Sequence, residues 1–121
     1  MTKEELVTLI ESFGQDLPMG ITGNEENAIL AERVAGIAQS ERAVLIELLR
    51  DWLAVRIPQS ERKDGDGIRE GRMWFALEVV KKYELNDLCA DIDTLIADVH
   101  SRKTYLPYYE DMISKYRHAL H

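Results

Sequence analysis

Met73-Trp74-Phe75-Ala76-Leu77-Glu78-Val79-Val80 decides the fold. Only Glu78 interrupts the apolar residues, so at 3.6 residues per turn they cover most of a helix's circumference. A surface helix shows one apolar stripe. One that is apolar nearly all round must be covered on several sides. The spacing predicts a central helix from Arg69 to Tyr83, and the rest of the chain has to supply its cover.

Downstream, Glu84-Leu85-Asn86 reads as a short break, with Asn86 capping the next helix and Asp87 in its first turn. Leu88, Ile92, Leu95, Ile96 and Val99 give that fifth helix one apolar face. Ser101-Arg102-Lys103-Thr104 is a turn. A last helix starts near Pro107, a residue suited to a first turn, with Tyr109, Met112, Ile113, Tyr116 and Leu120 as its stripe.

Upstream, residues 58–67 form the most polar stretch, a loop expected to be the most mobile internal segment and the first site of proteolysis, at Arg62 or Lys63. Before it, a helix capped by Ser40 and ended by Pro58 carries Val44, Leu45, Leu48, Leu49 and Trp52 on one face. Asn24 is expected to cap a second helix. Its small residues Ala28, Ala31, Ala35, Gly36 and Ala38 suit close approach to a neighbour. Thr2 and Glu5 form a capping box for the first helix, and Gly14 marks its end. No segment alternates with period two, so no strand is expected. The whole reads as one all-α domain, residues 1–121, of five or six amphipathic helices, with Trp52, Leu77, Val80, Ile92 and Ile96 in its core.

Residues 72–120 resemble helical-hairpin repeats of the HEAT type. The match lies in Ala76-Leu77, the turn Glu84-Leu85-Asn86, then Leu88, Ile92, Leu95, Ile96 and Asp98, with the pattern restarting at Tyr105. The resemblance implies hairpins that bury one face in the next. A compact irregular bundle is the other arrangement compatible with the same spacing.

The chain has 121 residues and a net charge of −7. Acidity disfavours nucleic acid and favours a basic protein as partner. A single cysteine, Cys89, allows no internal disulfide. Met1-Thr2-Lys3-Glu4-Glu5 is unlike a signal peptide, and no apolar run reaches membrane-spanning length. The expectation is a cytoplasmic protein with no membrane partner. In size, charge and helical content the chain resembles small acidic bacterial immunity proteins, which neutralise a cognate toxin. No motif residue carries that likeness.

Catalytic and metal motifs are missing. Placing Asp66 and Gly67 in an EF-hand loop would put Arg62 and Met73 at ligand positions, where neither serves. His100, His118 and His121 lack the Glu-x-x-His spacing of di-iron bundles. Cys89 adjoins an apolar face, which suits packing better than nucleophilic work. No catalytic residue, metal or cofactor is expected. An enzyme or regulator with an interhelical pocket lined by Trp52, Trp74 and Cys89 is the alternative reading, and a structural helical-repeat module a further one.

Two features suit a partner surface. Asp87, Asp91 and Asp98 share one face of the fifth helix, an acidic row able to steer a basic protein. Tyr105 and Tyr108 lie off the apolar stripe of the last helix, and tyrosine is enriched where surfaces bind.

Overall fold

The computed structural model describes residues 1–57, 65–102 and 107–120, and these contain seven α-helices, one 3₁₀ turn and no strand. The all-helical expectation holds. The count is seven rather than five to six, because the second helix breaks in the middle.

Helix α1 (Lys3–Phe13) starts at the Thr2–Glu5 capping box: Glu5 N–H donates to the Thr2 hydroxyl at 3.1 Å, and Thr2 N–H to the Glu5 carboxylate at 3.4 Å. Gly14 caps its end. Helix α2 (Gly23–Arg33) repeats the device two residues earlier than expected, with Thr22 and Glu25 in place of an Asn24 cap. A Thr-x-x-Glu box satisfies two free donors reciprocally, where Asn24 would satisfy one. Helix α2 ends at Arg33, and α3 (Ala35–Ser40) begins after Val34. Ala31, Val34 and Ile37 are all buried. In a straight helix each three-residue step drifts by about 60°, so the break at Val34 lets all three face the interior. Of the small residues, Ala31 makes the close approach, and Ala28, Ala35 and Gly36 face solvent.

Helix α4 (Arg42–Leu53) starts after Glu41 with no side-chain cap; the Ser40 hydroxyl donates instead to the Gly36 carbonyl within α3. It stops at Leu53, short of Pro58, and the chain leaves it so that Ile57 is fully buried. The residue before a proline avoids helical geometry, which favours this early exit. Helix α5 (Asp66–Lys82) begins earlier than Arg69, on Gly65 in the left-handed region (φ 87°). Asp66 and Gly67, expected in the loop, are therefore helical. The remainder of that expected loop, 58–64, lies outside the described residues, as do Arg62 and Lys63.

Helix α5 ends in a Schellman motif. Leu85 N–H donates to the Val80 carbonyl at 3.0 Å, and Glu84 takes the left-handed position (φ 49°) that glycine usually fills. Leu85 and Val80, the apolar pair of that motif, are both buried. A 3₁₀ turn (Asn86–Leu88) replaces the expected Asn86 cap, and α6 (Cys89–Arg102) follows. Helix α7 (Tyr109–His118) starts two residues after Pro107.

Helix α5 is the central element. It packs on α2, α4 and α7, and buries Met73, Phe75, Ala76, Leu77, Val79 and Val80. Helix α6 packs on α4 and α7. Leu77, Val80 and Ile92 have no exposed surface; fully burying a side chain of this size contributes about 1.5–3 kcal/mol. Trp52 and Ile96 are part-buried and pack against the core's margin rather than inside it. No helix among the described residues is long and apolar enough to cross a membrane.

Candidate functional site

Asp91 and Asp98 lie on α6 and Asp87 in the 3₁₀ turn before it, and α4 runs beside the row while leaving Asp87 exposed and Asp91 and Asp98 part-exposed. Arg42 at the start of α4 pairs with Asp87 at 2.5 Å, Arg50 with Asp91 at 3.3 Å, and Arg56, just beyond the helix, with Asp98 at 3.8 Å. Arg102 reaches Asp98 from the last turn of α6 at 3.5 Å. Both sets of residue numbers rise together, so α4 and α6 run the same way with a ladder of ion pairs between them. The Arg42 guanidinium, by hydrogen bond and charge, holds the Asp87 carboxyl below its ordinary range.

The charges of this row are thus matched within the molecule. They form a seam between α4 and α6. Tyr105 lies outside the described residues. Tyr108 stands at the start of α7 and is 52% exposed, whereas its neighbour Tyr109 is buried. Cys89 is part-buried, with Sγ 4.0 Å from the Asn86 side-chain oxygen.

On the other side of α5 the surface opens. Helices α1 and α2 flank it on one side and α7 on the other, leaving a groove of about 650 Å³. Its aromatic lining is Trp52 from α4, Trp74 and Phe75 from α5, and Tyr108 and Tyr109 beside α7. Trp74 and Tyr109 meet edge to face at 5.3 Å, and Tyr109 and Tyr108 at 5.5 Å, so the rings brace one another. Trp74 also rests on Tyr116, whose hydroxyl donates to Glu78 at 2.9 Å. Burial, and then that carboxylate, push the Tyr116 phenol well above its ordinary range.

Two large apolar side chains are exposed on this groove's lining, Ile68 at 66% and Tyr108 at 52%. The polar lining consists of amides (Gln15, Asn24, Asn27), the carboxylates Glu11 and Glu26, and Arg72. Arg72 lies over the Trp52 ring, 5.2 Å from its centroid, and pairs with Glu11 at 3.4 Å. Glu26 has no ion pair among the described residues.

Trp52 and Trp74 line this pocket, as the interhelical reading expects; Cys89 is not part of it. Sequence reasoning missed Ile68, Leu30, Met112 and the α2 polar residues. Ile68 carried a legible signal, an isolated isoleucine in the polar run from Asp64 to Gly71. The α2 residues carried none, since their place depends on how α2 lies against α5.

The groove's described lining holds aromatic area, amides and carboxylates, and no His, Cys or Ser. No group of three His, Cys, Asp or Glu side chains among the described residues is placed to hold a metal ion. No protein-family model, curated protein or solved structure matches this chain.

Proposed function

We propose that the chain is a small, acidic, cytoplasmic protein-binding protein that meets its partner at the aromatic groove, with Tyr108 and Ile68 as the exposed anchors. The observation that carries this reading is the groove itself: a braced aromatic wall with two large apolar side chains left open to solvent. Tyrosine and tryptophan anchors supply most of the energy at protein interfaces. The partner's charge is basic, the complement of a net −7 chain. An immunity protein that neutralises a cognate toxin is the most concrete version, supported by size, acidity and helical content. The irregular arrangement, with α6 packed on α4 and α7, favours a self-contained bundle over a module of stacked HEAT-like hairpins.

The acidic row takes a secondary place in this reading, because Arg42, Arg50, Arg56 and Arg102 already engage it. The test uses the partner isolated from the native host, or the product of an adjacent toxin gene. Tyr108→Ala and Ile68→Ser should each speed dissociation fivefold or more, roughly the 1 kcal/mol of an anchor residue. If both leave the dissociation rate unchanged while reversal of Asp91 and Asp98 slows association, the interface is the α6 face instead. A small-molecule pocket is the second reading, favoured by a volume within the usual range for such sites.

A further inference from the structure

The loop between α1 and α2 holds one large apolar side chain almost wholly in water. Met19 is 99% exposed, whereas Leu17 and Ile21 on either side of it are part-buried. Burial of apolar surface is favourable, so this exposure has to be imposed by the backbone. The loop is pinned at both ends. At its start the Arg33 guanidinium, from the last turn of α2, donates to the Phe13 carbonyl and to the Asp16 carboxylate, the latter at 2.6 Å. At its end the Thr22–Glu25 box fixes the entry to α2. Between them Pro18 has a fixed φ, and Gly20 takes the left-handed region (φ 80°). Pro18, Met19 and Gly20 thus stand out as a tip on two part-buried feet.

The other three methionines are shielded by degrees. Met1 is half-exposed, Met112 is part-buried, and Met73 is fully buried in α5. A thioether reacts with a hydroperoxide through a lone pair on sulfur, so the rate follows the oxidant's access to that atom.

We propose that Met19 is an oxidation site of this chain, converted to the sulfoxide by hydroperoxides ahead of Met1, Met112 and Met73 and without loss of the fold. The sulfur lone pair takes the terminal oxygen of the hydroperoxide and the O–O bond breaks. The proton of that oxygen passes to the leaving one, which departs as an alcohol, or as water when the oxidant is hydrogen peroxide. Sulfur loses two electrons and the peroxide bond gains them. A thiol-dependent sulfoxide reductase reverses the step: two thiols become a disulfide and the oxygen leaves as water. The modification turns an apolar tip polar. It costs the fold no buried contact at Met19, whereas the same oxygen on Met73 would sit unpaired in the core.

The sequence makes the test direct. Trypsin cleavage after Lys3, Arg33, Arg72, Lys81, Lys103 and Lys115 puts each of the four methionines on its own peptide, and Cys89 falls on a separate one. The folded full chain is exposed to hydrogen peroxide, samples are quenched with free methionine, and the added oxygen is followed on each peptide by mass spectrometry. Met19 is expected to oxidise about two- to threefold faster than Met1 and about tenfold faster than Met112, with Met73 slower still. In denaturant the four rates should converge, because the ordering comes from the fold. Once Met19 is converted, helicity and the denaturation midpoint should be unchanged.

Met1 or Met112 reacting as fast as Met19 in the folded chain would overturn the proposal. So would an ordering that persists unchanged in denaturant, since the selectivity would then owe nothing to the fold. A fall in the midpoint that tracks Met19 conversion, and is absent from a Met19→Leu chain treated in the same way, would overturn it as well, because the side chain would then be part of the packing.

Discussion

The two sides of the molecule use their charged and aromatic residues in opposite ways. Between α4 and α6 a row of arginines meets a row of aspartates, and the apolar faces beneath them close. Between α1–α2 and α7 the apolar and aromatic side chains stay open over α5, with Ile68 and Tyr108 exposed. The first surface is complete within one chain. The second has area and chemistry to offer another molecule. A charge pattern read along one helix therefore says little about binding until its neighbours are known. An acidic stripe facing solvent steers partners; the same stripe facing arginines fastens two helices together.

The comparison requires that both surfaces rest on one shared core, and Leu77 tests that. Leu77→Ala should cost about 2–5 kcal/mol, measured by denaturant unfolding. A loss under about 0.5 kcal/mol would remove α5 from the centre and dissolve the distinction between its two sides.

Tyr116 tests whether the aromatic wall is pinned from behind. Tyr116→Phe removes the hydrogen bond to Glu78 and should cost about 0.5–1.5 kcal/mol. The phenol's folded pKa is raised above its ordinary value near 10. Its contribution is therefore intact below about pH 10 and declines as pH climbs above that value, where the unfolded chain can ionise and the folded one resists. The variant should show a shallower alkaline loss of stability than the parent. Some loss should remain from Tyr83, whose phenol is raised by burial and by Glu32. Matching alkaline limbs in parent and variant would detach Tyr116 from the wall.

The seam should be weak pair by pair. A double-mutant cycle on Arg50 and Asp91 should give a coupling of about 0.2–1 kcal/mol that shrinks in high salt. A coupling near zero at low salt would return Asp91 to the solvent and restore the acidic row as a free surface. The smallest effect belongs to the open side: Ile68→Ser and Tyr108→Ala should each change stability by less than about 0.5 kcal/mol. Larger losses would mean that these side chains are part of the fold rather than exposed anchors.

The legible parts of the sequence were those governed by local chemistry. The Thr2–Glu5 box, the Gly14 stop and the central α5 follow from residues a few positions apart, and a helix cap or an apolar circumference needs no distant partner. The Thr22–Glu25 box was equally local, and Asn24 masked it by offering a simpler cap. The break at Val34 was not legible. No Gly or Pro stands at that position, and the chain bends there to bury three side chains spaced for a tighter helix.

The site divides along the same line. Tyr108 could be singled out because it falls off the apolar stripe of α7, and a side chain off its helix's buried stripe faces outward wherever that helix packs. The fate of Asp87, Asp91 and Asp98 could not be read, because each meets an arginine 41 to 45 positions away, and only Asp98 has a second one nearby in sequence, Arg102. By itself, then, the sequence determined an all-helical chain, its central helix, both caps of its first helix and its acidic sign, all set by spacing and local hydrogen bonding. Tertiary structure alone decided which surface is sealed and which is open, because that depends on which helix faces meet, and pairing between helices is set by the packing of the whole core.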